Sequence, residues 1–301
     1  MKILISGGTG LIGKELIRFF LNSSNCDIDI LSRNTREKVL DIDKKISLKQ
    51  SLSEEDEYDV IINLAGEPIN KQRWNESFKK KLVSSRVDST LRIIEYIKEA
   101  RVKPKLLINA SAIGFYGNDY NLSFDEYSEP IDPGFAHELC AEWEKAASKA
   151  TEYIKRVCII RIGIVLTNKG GALKDMIIPF KLGLGASLGN GRQYMSWIHI
   201  EDVCRAINFI IKNDNLSGIY NFTAPKPLTN QQFSDILASS LGMPRFFSIP
   251  ASLINLIFGE MGREILLKST KVLPKRLVEA GFIFNHENLA RALDDIILNK
   301  S

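Results

Sequence analysis

The stretch "KILISGGTGLIGKEL", residues 2–16 in its strand–glycine–helix layout, limits the possible folds of this chain more than any other. Lys2–Ser6 is a short apolar, β-rich run, and Leu11–Leu21 carries helical periodicity. Between and into them fall Gly7, Gly10 and Gly13, one every third residue. The first glycine of such a set permits a tight turn. The second lets backbone lie against a pyrophosphate, and the third lets helix and strand pack closely. The helix N-terminus then offers free amides and the positive end of its dipole to the phosphates. A strand before and a helix after the triplet turn a weak pattern into a specific one.

The pattern continues as an alternation of strands and helices. Strands are expected at Asp27–Leu31, Asp59–Asn63, Lys105–Ala110 and Arg156–Ile162, with helices at Glu76–Ala100 and Gly134–Lys149. Continuous apolar strands separated by amphipathic helices predict an α/β fold: a Rossmann-type, doubly wound parallel sheet with helices on both faces. Beyond Gly163 the chain becomes glycine-rich through residue 196, then returns to a helix at Glu201–Lys212, a strand at Gly218–Phe222 and a helix at Asn230–Leu241. From about Ser248 it reads as mostly helical. The expected organisation is a dinucleotide-binding domain over 1–225, with part of 167–225 contributing to a substrate lobe, and a small helical domain over 248–298.

The end of the second strand bears on the cofactor. NAD-binding folds place an acid there for the ribose 2′-hydroxyl. Here the strand ends in Ser32 and Arg33, while Asp27 and Asp29 come too early. An arginine and a hydroxyl suit a 2′-phosphate, which favours NADP(H). "NLAG" at 63–66 follows the next central strand, and its small residues allow backbone to lie against adenine and ribose.

Composition narrows the partners. The 301 residues carry 40 Lys and Arg against 36 Asp and Glu, and Lys79–Lys81 is the only tight basic run. That argues against nucleic acid as a partner. No apolar run approaches a membrane span, and "MKILISGG" lacks a signal-peptide layout; a cytoplasmic protein is expected. Cys26, Cys140, Cys158 and Cys204 are widely spaced, as expected of reduced thiols. His137, His199 and His286 are too few and too spread along the chain to suggest a metal site.

Several blocks carry a family resemblance: "NLAGEPI", "RW" at 73–74, "SSRVDST" at 84–90, "NASAIGFYG" at 109–117, "RIGIVL" at 161–166, "GGAL" at 170–173, "LGLGASLGNGRQYMSWIHIEDV" at 182–203 and "VLPKRLVEAGF" at 272–282. Together they resemble the epimerase family of atypical, extended-like short-chain dehydrogenases/reductases. That family is related to the human short-chain dehydrogenase/reductase family 39U, is sometimes labelled a cell-division inhibitor homologue, and carries a C-terminal domain of unknown function. The resemblance implies NADP(H) contacts at Gly7, Thr9, Gly10, Leu11, Ile12, Gly13, Ser32, Arg33, Leu64, Ala65, Gly66, Arg86 and Ile164. It also implies a nucleotide-sugar-like or carbonyl small-molecule substrate.

The superfamily's chemistry uses a Tyr-x-x-x-Lys pair on the helix read here at 134–149, with an upstream serine or threonine. The lysine lowers the tyrosine pKa so that the phenol can exchange a proton near neutral pH. None of the eight tyrosines is followed four residues later by lysine. Counted from Glu144, the lysine position falls at Cys140 and the tyrosine position at Ala136. Asp132 is expected to cap this helix and Pro133 to sit in its first turn. Ser111 and Tyr116 are the candidate substitutes, with His137, Cys140 and Asp125 as remoter ones. Tyr116 also has a purely structural reading. Two functions therefore stand side by side: an epimerase or oxidoreductase with a degenerate motif, and a non-catalytic NADPH-binding sensor. On the substrate side Arg192, Tyr194 and Trp197 suit a nucleotide-like ligand, although Trp197 and His199 read better as packing and capping residues. The oligomeric state stays open between monomer and homodimer.

Overall fold

The computed structural model describes residues 1–23, 26–32 and 46–298. In chain order, Lys2–Ser6 (β1) leads into Leu11–Ser23 (α1), followed by Asp27–Leu31 (β2), Ile46–Lys49 (β3), Val60–Asn63 (β4), Glu76–Glu99 (α2) and Leu106–Ala112 (β5). Phe135–Ser148 (α3), Val157–Ile162 (β6), Ile164–Leu166 (β7) and Gly171–Lys181 (α4) come next. Then follow Ala186–Leu188 (β8), Tyr194–Met195 (β9), Trp197–His199 (β10), Ile200–Lys212 (α5) and Gly218–Phe222 (β11). The remainder comprises Leu228–Thr229 (β12), Asn230–Ser240 (α6), Phe247–Ile249 (β13), Ala251–Phe258 (α7), Lys275–Glu279 (α8) and Leu289–Leu298 (α9).

Seven strands form one sheet in the order β11-β6-β5-β4-β1-β2-β3. Every pairing in it is parallel. This is the expected doubly wound α/β fold. From β1 the chain builds first towards β2 and β3, then reverses to β4, β5 and β6. Such a reversal opens a crevice beyond the C-terminal ends of the central strands, where ligands bind.

Apolar side chains alternate across the sheet because successive strand residues point to opposite faces. Ile3, Ile5, Ile28, Ile30, Ile62 and Ile108 pack with Leu16 and Phe20 of α1 and Ile207 and Ile210 of α5. Leu4, Ile61 and Leu107 face the other way, onto Ile93 and Ile97 of α2. Both faces are therefore covered, which is why these strands read as unbroken apolar runs. The short strand β3 was not expected from sequence; its four residues carry no alternation and none is buried.

The third helix differs from expectation at its start. It begins at Phe135, and its N-cap is Gly134, not Asp132. Asp132 has a positive φ of 49°, outside helical geometry. Its carboxylate accepts from Asn118 Nδ2 at 3.4 Å, and its carbonyl accepts from Lys268 Nζ at 3.1 Å. The backbone amide of Ala136 is instead met by the Glu264 carboxylate, 3.4 Å away, from the C-terminal part of the chain.

That C-terminal part does not lie apart from the sheet. Residues 269–273 thread between the loop at Phe124 and the turn at Ser196: Phe124 N donates to Lys271 O at 2.7 Å, and Val272 N to Ser196 Oγ at 2.8 Å. Leu277, Phe282 and Phe284 join the buried cluster that contains Ile3 and Ile5. Leu289, Leu293 and Ile296 of α9 pack with Trp197 and Phe233. No helix among the described residues is long and apolar enough to cross a membrane.

Candidate functional site

The glycine loop lies at the reversal of strand order. Gly7 has a φ of 78°, and a Cβ there would lie 2.6 Å from the Leu64 carbonyl carbon. Gly13 is as constrained: a Cβ would stand 2.4 Å from Gly7 O. Gly10 N donates to Gly7 O at 3.0 Å, closing the turn into α1. The first turn of α1 holds no acidic side chain, so its positive end is not neutralised from within. Thr9, Leu11 and Ile12 are half-buried around this turn, and Leu11 lies beside Gly170 and Gly171 at the start of α4.

The other expected cofactor residues converge on the same edge. Ser6 at the end of β1 lies between Leu31 of β2 and Asn63 of β4. Ser32 and Leu64 therefore flank Gly7. Ser32 N donates to Lys49 O at 2.9 Å. Arg33 lies outside the described residues. Gly66 presses against Arg86, whose guanidinium carbon would be 3.0 Å from a Cβ at that position. Arg86 donates to Leu82 O at 3.0 Å and Glu67 O at 3.1 Å, and stacks over the Trp143 ring at 5.2 Å. Ile164 sits just past β6, its amide bound to Ser196 O at 2.9 Å.

A buried network fixes this edge. Asn63 Nδ2 donates to Thr90 Oγ1 at 2.9 Å and Asn109 Oδ1 at 2.7 Å, and Trp143 Nε1 donates to Thr90 Oγ1 at 3.1 Å. One threonine thus ties β4, β5 and α3 to α2. Buried polar groups need such partners, because an unmade hydrogen bond costs more than a made one returns. The loop after β1, the loop after β4 and Arg86 thus meet at one edge of the sheet, with backbone or Arg86 standing where side chains at Gly7, Gly13 and Gly66 would go.

Comparison with known proteins identifies the family. Residues 3–222 match the model of the NAD dependent epimerase/dehydratase family. The chain belongs to this epimerase/dehydratase family. Residues 249–296 match a domain of unknown function, DUF1731. An epimerase family protein of Staphylococcus aureus strain N315 is 38% identical over 302 residues, covering 98% of this chain and 99% of that one. The crystal structure of human epimerase family protein SDR39U1 with NADPH superposes with a TM-score of 0.88 at 31% identity, over 99% of this chain and 100% of that one. A nucleoside-diphosphate sugar epimerase from Corynebacterium glutamicum superposes with a TM-score of 0.75 at 25% identity, over 99% of this chain and 58% of that longer one.

In this NAD(P)-binding member of the epimerase family, the two positions that sequence counting set at the catalytic pair, Ala136 and Cys140, both lie buried on α3. Ala136 is buried against Gly114, with only 3.2 Å between its Cβ and a Cβ at that glycine. Cys140 Sγ contacts Ala112 O at 3.6 Å. Burial pushes its thiol pKa up to about 11, so it is a neutral packing group rather than a nucleophile.

The two candidate substitutes lie near each other but are differently placed. Ser111 Oγ donates to Glu144 Oε1 at 2.6 Å. Glu144 is gripped through both oxygens by Arg161 Nε and Nη2, each at 2.8 Å. Tyr116 has 0% exposure, stacks on Phe124 at 5.4 Å, and donates its hydroxyl to Asn221 Oδ1 at 2.8 Å. Burial pushes its pKa up to about 12, away from the range of a useful base. His137 spends Nδ1 on Phe115 O at 2.6 Å, and Asp125 holds the turn at Tyr127 and Ser128.

Sequence reading did not find the Glu144–Arg161 pair. The signal was present: Arg161 interrupts the apolar run "VCIIRIG", and a charge inside a buried strand needs a partner. In the glycine-rich region, Arg192 is exposed. Trp197 has 0% exposure, and His199 Nδ1 accepts from Glu201 N at 3.2 Å as the cap of α5. Packing and capping describe these two residues.

Proposed function

We propose that this epimerase-family protein is an NADP(H)-dependent epimerase or oxidoreductase acting on a nucleotide-sugar-like or carbonyl small molecule. The observation that carries the reading is the cradle at the strand-order reversal, where Gly7 admits no side chain against Leu64 and α1 points its amides outward. NADPH in the human neighbour and Arg33 after β2 support NADP(H) over NAD(H). The cofactor, when bound, supplies hydride transfer; the chain supplies its orientation. Gly7, Gly10 and Gly13 would receive the pyrophosphate. Ser32 and Arg33 would receive the 2′-phosphate, and Leu64–Gly66 the adenosine side. Arg86, already fixed by two carbonyls, would hold a cation near the glycine loop in a chain that has no lysine at position 140.

Ser111 is the candidate for orienting a substrate oxygen. Its proton is committed to Glu144, so it offers lone pairs and accepts from a substrate hydroxyl. Tyr116 is better read as a wall of the site, since its hydroxyl faces Asn221.

The second reading is an NADPH-binding sensor with little or no turnover. What favours it is that no proton donor of suitable pKa stands at Ala136, Cys140 or Tyr116. Titration with NADPH and NADH tests the cofactor reading: NADPH should bind at least about tenfold more tightly, and Arg33→Ala should remove that preference. Equal affinities in the unaltered protein would defeat it. Incubation with NADPH carrying deuterium at C4, against sugar nucleotides and carbonyl compounds, separates enzyme from sensor. Deuterium in any product supports the enzyme; tight NADPH binding without transfer supports the sensor.

A further inference from the structure

Two histidines that lie far apart in sequence meet in the fold. His199 ends β10 and caps α5, while His286 lies in the loop before α9. Their rings stack with centroids 3.7 Å apart and planes 30° from parallel. Asp295 of α9 brings a carboxylate oxygen to 3.7 Å from His199 Nε2. One nitrogen from each ring and one Asp295 oxygen all lie within 4.8 Å of one another. His199 is buried, with His286 and Asp295 half-buried on its outer side.

We propose that His199, His286 and Asp295 bind a divalent transition-metal ion of the zinc class, which clasps the C-terminal segment to the sheet domain. Two imidazoles and one carboxylate are a donor set suited to zinc, leaving a fourth position for water on the open side. At bond lengths of about 2.0–2.2 Å the donors of a tetrahedral ion stand roughly 3.3 Å apart. The three donor atoms, now within 4.8 Å of one another, must close to that spacing when an ion binds.

The surroundings supply an outer shell. His286 Nε2 lies 3.0 Å from Glu201 Oε2, the arrangement by which a carboxylate orients a ligating imidazole and leaves Nδ1 for the ion. Glu201 also accepts from Asn285 Nδ2 at 2.9 Å. The fully buried Asp202 accepts from the backbone amides of Asn285 at 3.0 Å and His286 at 2.9 Å, and pairs with Arg205. The loop that carries His286 is thus held in place before any ion arrives.

One adjustment is needed. A neutral His199 that accepts at Nδ1 carries its proton on Nε2. An ion on Nε2 sends that proton to Nδ1, so the ring must turn away from the Glu201 amide and give up the cap. The metal-bound form therefore differs from this one in the first turn of α5.

Metal-stripped, untagged full-length protein titrated with Co(II), by calorimetry and visible absorption, tests the site. One Co(II) per chain is expected, with the absorption of a low-coordinate nitrogen–oxygen site, displaced by zinc. Asp295→Asn and His286→Gln should each weaken binding about tenfold or more. Hydrogen exchange at 200–203 and 283–297 should change on binding. Unaltered NADPH affinity in both variants would show that they remain folded. Absence of stoichiometric binding at micromolar metal would overturn the proposal, as would equal affinity in the parent and both variants.

Discussion

Glu144 of α3 and Arg161 of β6 form a two-pronged ion pair inside the protein, with Arg161 only 2% and Glu144 only 7% exposed. Ser111 hangs its hydroxyl on the same carboxylate. Arg161 also lies over the Phe115 ring at 3.4 Å. The strand end, the helix and the turn at 113–116 are thus held by one charge pair. Removing one member strands the other. Glu144→Gln should destabilise the protein by about 3–5 kcal/mol, measured by urea unfolding. The double change Glu144→Leu with Arg161→Met should cost much less than either single loss of charge. Ser111→Ala should cost only about 1 kcal/mol, because Arg161 continues to hold the carboxylate. Equal costs for the single and double changes would refute this account.

The glycine loop makes a sharper distinction between space and strain. Gly242 has a φ of 65° with nothing within 4 Å of an added Cβ, whereas Gly7 combines a φ of 78° with the wall at Leu64. Gly242→Ala should cost about 1 kcal/mol of stability and leave NADPH affinity intact. Gly7→Ala and Gly13→Ala should lower NADPH affinity by about two orders of magnitude or more, since either displaces the loop proposed to meet the pyrophosphate. Fluorescence titration of the three variants decides. Wild-type affinity in Gly7→Ala would place the cofactor elsewhere.

For Tyr116 the wall reading has a simple consequence. Tyr116→Phe leaves Asn221 Oδ1 without its donor in a fully buried position, at a cost of about 1–3 kcal/mol. Any turnover found with a substrate should survive the change to within a factor of about three. A fall of a hundredfold at unchanged stability would return Tyr116 to the chemistry.

Alkaline pH should loosen the fold. Burial pushes Cys140 up to about 11, and Cys158 and Tyr116 up to about 12, above their ordinary values of 9.0 and 10.0. Each is neutral when protonated, so the folded state holds the proton more tightly than the unfolded one. That stability is complete below about pH 9 and is lost as pH rises through 11–12. A tenfold tighter hold on one proton contributes about 1.4 kcal/mol to the folded state. The urea midpoint should therefore fall steeply between pH 9 and 11, and Cys158→Ala should flatten the slope. A midpoint unchanged over that interval would contradict the burial account.

The parallel sheet was legible because a buried strand has to be apolar on both faces, and "KILIS", "DIDIL" and "GIYNF" start and stop where the structure has them. Ala136 and Cys140 share the buried face of α3, as helical counting predicts for residues four apart. What escaped were relationships across distance. Nothing within "IDPGFAHEL" shows that Glu264 meets the start of α3, and this contact leaves Asp132 free to turn outward. The two histidines, 199 and 286, were read as scattered, since sequence spacing says nothing of a loop returning to the end of β10. Position alone made Tyr116 a candidate, and only its burial and its hydrogen bond to Asn221 show how its hydroxyl is used.

The insertion of residues 269–273 between Phe124 and Ser196, with Phe282 and Phe284 in the core of β1, has a consequence for the order of assembly. A ribosome that has released residues 1–222 has delivered every strand of the main sheet, but not the side chains that close one end of its core. The nascent sheet must wait, with apolar surface uncovered, until Phe282 and Phe284 have been made. At about 5–20 residues per second that interval lasts several seconds. For this protein, then, a segment made well after the sheet finishes the core of its first strand.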